Sequence, residues 1–166
     1  MRAASAILAL LLVAWPALVV VGAGGGVSGY CVVRVYPDGS TLFEYKLVVA
    51  DVPSNVSLRA PRGAIYVGVV AGGEPAPYTY DGERGALYFL ALYRDVTVRV
   101  YTLEYTSKEG ALWELKLEPL DFETLIALPE GALLVSVEPR EFTVKLVNGT
   151  PLLAFKPGTA VRLVYT

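Results

Sequence analysis

From Tyr30 onward, apolar side chains recur at every second position rather than every third or fourth. Phe43-Glu44-Tyr45-Lys46-Leu47 and Trp113-Glu114-Leu115-Lys116-Leu117 alternate apolar with charged residues. Val96-Thr97-Val98-Arg99-Val100, Phe142-Thr143-Val144-Lys145-Leu146 and Val161-Arg162-Leu163 follow the same rule. Successive side chains of an extended chain point to opposite faces, so this pattern sets one face on a core and the other in water. Pro37-Asp38-Gly39-Ser40, Asp81-Gly82, Lys108-Glu109-Gly110 and Asn148-Gly149 supply the turn chemistry between the runs. The pattern predicts about ten to twelve short strands and no long helix after the leader, hence an all-β, antiparallel β-sandwich.

The strands come in two similar sets. Ala60-Pro61-Arg62-Gly63-Ala64-Ile65-Tyr66-Val67-Gly68-Val69 matches Leu128-Pro129-Glu130-Gly131-Ala132-Leu133-Leu134-Val135-Ser136-Val137 at an offset of 68. The aromatic-Glu-apolar-Lys-Leu runs match at an offset of 70, Asp81-Gly82 aligns with Asn148-Gly149, and Val100-Tyr101-Thr102 aligns with Val164-Tyr165-Thr166. The sandwich is therefore expected to consist of two duplicated halves, about 30–101 and 102–166. The alternation changes phase where they join, which predicts a bulge or a bend between sheets near Tyr101. Two repeats are too few for an open solenoid, so the halves are expected to pack as one unit.

Residues 1–23 begin Met1-Arg2, continue through an apolar stretch from Ala6 to Val21, and end Val21-Gly22-Ala23. A positive start, an apolar centre and small residues at the end form a secretory signal pattern, with cleavage expected after Ala23. The alternative is an uncleaved N-terminal anchor, which would make residues 1–23 the only membrane contact. Residues 24–29 read as a Gly-rich spacer and 30–166 as the sandwich, placed outside the cell or at its surface. Both asparagines head sequons, Asn55-Val56-Ser57 and Asn148-Gly149-Thr150, and both are expected to carry glycans.

Composition narrows the chemistry. The chain has no His or Gln, a single Met and two Asn among 166 residues, which is the covalent durability expected of a thermophile. A net charge of −2 without a basic stripe argues against nucleic acid as a partner. Without His, the Ser-His and Cys-His pairings and the usual zinc sites are excluded. Cys31 lies in the apolar run Tyr30-Cys31-Val32-Val33 and reads as a buried small hydrophobe. Glu118, Asp121 and Glu123 form the best acidic cluster for a hard cation, and more simply form a solvated strand edge. No cofactor and no catalytic residue are expected.

Glu74-Pro75-Ala76-Pro77-Tyr78-Thr79-Tyr80-Asp81 is the segment best suited to binding. Two prolines restrict it, and Tyr78 and Tyr80 share a face if it is extended, either as a ligand platform or packed down on the sheet. The expected function is a non-catalytic secreted or cell-envelope sandwich with a structural or interaction role. The alternatives are an extracellular module that binds carbohydrate or a protein partner, and a filament subunit assembling by strand addition.

Val33-Arg34-Val35-Tyr36-Pro37-Asp38-Gly39-Ser40-Thr41-Leu42-Phe43-Glu44-Tyr45, with Tyr101-Thr102-Leu103-Glu104-Tyr105-Thr106-Ser107-Lys108-Glu109-Gly110 and a following Trp, resembles uncharacterised archaeal extracytoplasmic β-domains. In that group such a domain often precedes a membrane helix and a cytoplasmic winged helix. The resemblance implies an exported β domain, and a sensor role would depend on those further parts.

Overall fold

The computed structural model describes residues 26–166; the proposed leader, residues 1–23, lies outside them. The described chain is all strand and turn, with no helix. The first half contributes β1 (Val27–Val35), β2 (Thr41–Val49), β3 (Ser54–Arg59), β4 (Ala64–Ala71), β5 (Glu74–Pro75), β6 (Tyr78–Asp81), β7 (Ala86–Ala91) and β8 (Asp95–Thr102). The second contributes β9 (Thr106–Glu109), β10 (Leu112–Leu117), β11 (Glu123–Ala127), β12 (Leu134–Glu138), β13 (Thr143–Val147), β14 (Thr150–Phe155) and β15 (Val161–Tyr165). Fifteen strands exceed the ten to twelve expected, because β5, β6 and β9 are short and lie in turn-rich sequence without clear alternation. β1 also begins earlier than the pattern indicated: Val27, Ser28 and Gly29 of the presumed spacer pair with Val49, Val48 and Leu47.

The strands form a β-sandwich of three sheets. One has eight strands in the order β13-β14-β11-β1-β2-β8-β4-β5, one has four in the order β12-β15-β10-β9, and one has three in the order β3-β7-β6. A single core cluster draws on all three, so the two smaller sheets cover the same face of the large one. Its largest buried side chains include Tyr45, Phe43, Tyr165 and Phe155. Edge-on contacts lock the layers, with Phe43 against Tyr105 at 5.1 Å and Tyr45 against Phe122 at 6.4 Å between ring centroids.

The duplication is visible in the strand order. β1-β2-β8-β4 in the large sheet repeats as β9-β10-β15-β12, and β3-β7-β6 repeats as β11-β14-β13. Equivalent rungs can be named: Tyr45 pairs with Val98 and Val98 with Val69, while Leu115 pairs with Leu163 and Leu163 with Val137. These rungs correct one part of the sequence alignment. Phe43 pairs with Val100 and Trp113 with Tyr165, so Tyr165 corresponds to Val100 rather than to Tyr101. The side chains agree, since Tyr165 and Val100 are both in the core. Matching Tyr to Tyr would have turned that strand inside out, because a slip of one residue exchanges the faces.

The junction behaves as the phase change predicted. β8 ends at Thr102 in the large sheet, and β9 begins at Thr106 in the four-stranded sheet. One pairing departs from the antiparallel expectation. β1 runs parallel to β11, from Tyr30 opposite Glu123 to Arg34 opposite Ala127, and this seam joins strands of the two halves into the eight-stranded sheet.

On the solvent side of β2, Glu44 accepts a hydrogen bond from Arg99 at 2.7 Å and is 3.3 Å from Lys46. The arrangement recurs on β10, where Glu114 lies 2.7 Å from Lys116 and is hydrogen-bonded by Arg162. Burial pushes the Glu44 carboxyl upward, but Arg99 and Lys46 together outweigh it and hold it below its ordinary value. A carboxyl lowered by folding stabilises the fold above its unfolded pKa and stops doing so as pH falls through its folded one. Glu44→Gln should therefore lower the melting temperature at neutral pH, and thermal melts should show a shallower loss of stability than wild type below about pH 4.5.

Candidate functional site

A concavity lies where the two halves meet, around the crossing from β3 to β4. That crossing, Ala60-Pro61-Arg62-Gly63, carries the chain from the three-stranded to the eight-stranded sheet. Proline opens it and offers no N–H, so the segment is secured largely by side chains. The Tyr45 hydroxyl donates to the Arg59 carbonyl at 3.3 Å, and the Tyr80 hydroxyl donates to the Pro61 carbonyl at 2.6 Å. The Ala64 N–H donates to Tyr80 Oη at 3.3 Å, and the Arg62 N–H donates to Tyr105 Oη at 3.0 Å. Thr102 Oγ1 adds a bond to the Gly63 carbonyl at 3.1 Å. Gly63 itself has a φ of +59°, and a Cβ there would overlap the Glu104 carboxylate.

Beside this crossing opens a groove of about 430 Å³ whose lining includes Arg62, Glu104, Tyr105, Lys116, Glu118 and Pro119. Lys116 is already committed to Glu114 at 2.7 Å. Burial raises the Tyr105 hydroxyl above its ordinary value and outweighs the Arg62 N–H, whose donated bond lowers it. The groove offers both signs of charge, Arg62 and Lys116 against Glu104 and Glu118, beside a hydrogen-bonded backbone. Among the described residues that line it there is no serine, threonine or cysteine.

The residues singled out from the sequence fall in different places. Tyr78 and Tyr80 do share a face of β6, and both hydroxyls are bonded to backbone carbonyls, Tyr78 to that of Val67 at 2.7 Å. They brace the three-stranded sheet against β4. Asn55 is exposed on β3, an edge strand, and Asn148 is exposed at the tip of the β13–β14 hairpin with a φ of 51°. Cys31 is fully buried beside Tyr45, and that burial drives its thiol far above the ordinary range. Of the acidic cluster, Glu123 pairs with Lys145 at 2.6 Å, Glu118 lines the groove, and Asp121 is exposed. Among the described residues no three His, Cys, Asp or Glu side chains come together to hold a metal ion. Sequence reasoning missed Tyr45, Tyr105 and Arg62. The repeated Pro-x-Gly-Ala motif marked the crossing but could not show which tyrosines reach it.

No protein-family model matches the sequence, and no curated protein does. Solved structures do resemble the fold. An aminopeptidase N family protein from Idiomarina loihiensis superposes with a TM-score of 0.52 at 10% identity, over 81% of this chain and 29% of that one. An M1 zinc metallopeptidase from Deinococcus radiodurans gives a TM-score of 0.42 at 14% identity over 84% and 42% of the two chains. Native yeast LTA4 hydrolase gives 0.44 at 8% identity over 84% and 29%. The first shows a shared fold, and the chain spans less than a third of that protein's length. This overturns the expectation of a structural or interaction sandwich of the envelope, along with its ligand-binding and filament alternatives. The fold is shared with part of that protein, and alternation and turns report a fold rather than the use to which it is put.

Two outcomes check this geometry. Tyr80→Phe removes the donor to Pro61 and the acceptor for Ala64, and should cost about 1–2 kcal/mol in chemical denaturation while leaving the fold intact. Cys31 should fail to react with a thiol-specific disulfide reagent under native conditions, and should react fully once the chain is unfolded.

Proposed function

We propose that this chain is the non-catalytic β domain of a metallopeptidase system of the M1 kind, working beside a zinc-bearing catalytic unit. The shared fold with an aminopeptidase N family protein over 81% of the chain is the observation that carries this reading. The donor chemistry supports the division of labour. Catalytic zinc sites in proteases are built from ligands such as two His and a Glu. This chain has no His, and its one thiol is buried with its proton held tightly. Its residues do not fit such a metal, so no step of hydrolysis is assigned to them.

What the domain contributes in this reading is a rigid wall. A groove lined by Arg62, Glu104, Lys116 and Glu118 lies beside a crossing that five side-chain hydrogen bonds hold still. Rigid placement of a polypeptide segment or a neighbouring domain is work that such a surface performs without chemistry of its own. The leader pattern of residues 1–23 supports an extracytoplasmic location for the system.

The test has two arms. Residues 24–166, supplied with Zn²⁺, should show no turnover of aminoacyl-p-nitroanilides above blank. The full chain, affinity-tagged in its native host, should co-purify with aminopeptidase activity that a chelator abolishes. Zinc-dependent turnover by the isolated domain, or tagged material free of such activity, would remove the proposal.

A further inference from the structure

The β13–β14 hairpin carries an apolar surface that the first half does not leave open. Every residue from Thr143 to Pro151 is exposed. Leu146, at 75%, is the most exposed large apolar side chain among the described residues, and Val144, on the same face of β13, is 60% exposed. The rung Leu58–Leu87–Tyr80 corresponds to Ile126–Leu153–Val144. Tyr80 is half-buried with its hydroxyl on the Pro61 carbonyl, whereas Val144 brings no hydroxyl and stays open. Exposed apolar side chains on an edge strand are a liability, and Lys145 is the one charge that β13 sets against it.

The turn of this hairpin is one of the two sequons. Val147 pairs with Thr150, and Asn148 and Gly149 between them have φ of 51° and 80°, a two-residue turn that is left-handed at both positions. Asn148, Gly149 and Thr150 are all exposed, so the acceptor amide and the hydroxyl two residues on are open to an enzyme together. The other sequon is laid out differently. Asn55 is exposed, but Val56 is buried in the core, Ser57 is half-buried, and all three residues are paired with β7. Seating Asn55-Val56-Ser57 in a transferase would pull Val56 from the core and open the three-stranded sheet. Seating Asn148 asks only that the last rung of a hairpin open, which is the cheapest local unfolding a sheet allows.

We propose that Asn148 is a glycan attachment site, modified in the folded chain while Asn55 stays bare, and that its sugars cover Leu146 and Val144. The donor class is an oligosaccharide carried on a lipid phosphate. The bond formed joins Asn148 Nδ2 to the anomeric carbon of the first sugar, and the bond broken joins that carbon to the phosphate oxygen. The lipid phosphate leaves with the electron pair, and the amide gives up one proton to a base of the transferase. Val144 lies about 13 Å along the strand from Asn148 and Leu146 half as far, so sugars laid back along β13 meet both. A glycan is bulky and solubilising, which is what this edge lacks. Attachment requires the extracytoplasmic location proposed above but none of the peptidase chemistry, whose failure would appear in hydrolysis and not in peptide mass.

Peptide mass spectrometry decides it, on the full chain tagged and purified from its native host. The peptide spanning Asn148 should carry the mass of added sugars, and the peptide spanning Asn55 should not. Thr150→Ala should abolish the addition and Thr150→Ser should keep it. Asn148→Asp, which also suits this turn, should abolish it as well, and keeps the test open if Thr150→Ala fails to fold. The unmodified Thr150→Ala protein should precipitate at a lower ammonium sulfate concentration than wild type, and Leu146→Lys added to it should reverse the change. A bare Asn148 overturns the proposal, as do sugars on Asn55 or sugars that survive Thr150→Ala. A Thr150→Ala protein as soluble as wild type overturns the covering of Leu146.

Discussion

The parallel pairing of β1 with β11 is the contact on which the rest of the molecule depends. Without it the first half's five strands and the second half's three would be separate sheets, and the large surface that both smaller sheets cover would not exist. A parallel strand inside a mixed sheet is buried on both faces and needs an uninterrupted apolar run rather than an alternating one. β1 and β11 are where the chain provides such runs. Cys31 and Val33 point into the main core and Val32 to a second buried cluster, while Ile126 and its neighbours Leu125 and Ala127 divide in the same way. The second cluster, completed by Leu152 and Ala154, lies on the opposite face of the same sheet. A charge at Val32 or Leu125 would be buried without a partner at the seam, which is among the most costly changes a core can suffer.

Once the halves are joined, their shared strand order leaves different consequences at each end. The first half's crossing from β3 to β4 is held by Tyr45, Tyr80, Tyr105 and Thr102, so a segment that begins with proline becomes one of the stiffer parts of the surface. In the second half, Val144 occupies the place of Tyr80. The two halves share the path of the chain, while the first carries a polar clasp where the second has an apolar side chain on the matching rung. Arg62 and Tyr105, both in the lining of the groove beside the clasp, are held together by one hydrogen bond.

Much of the strand content was legible because it follows from local geometry. β2, β8, β10, β13 and β15 were readable from alternation, and the hairpin at Asn148-Gly149 from turn chemistry. The duplication was readable too, yet two of its correspondences misled: Asp81 falls on the rung position of Lys145 rather than Asn148. Tyr101 and Tyr165 look equivalent in sequence, but Tyr165 takes Val100's place in the core because a single-residue offset reverses the facing of a strand. β5, β6 and β9 escaped detection because two to four residues cannot display a period. The tyrosines of β6 illustrate a further limit. Their shared face was predictable, but whether that face meets a ligand or a carbonyl depends on which strand lies opposite.

The functional class was misread for a related reason. Alternation, prolines and glycine turns describe any antiparallel domain, and they carry no record of the protein in which the domain is used. The sequence by itself determined that this chain is all β, that it is built twice over, that it contains no histidine, and that Cys31 belongs in a core. Each of these follows from side-chain period or residue type, which are local properties. The parallel seam, the division of fifteen strands among three sheets and the clasp at Pro61 were decided only by the tertiary structure. Pairing between strands far apart in the chain depends on which apolar faces are buried together, and that competition is settled by the whole fold at once.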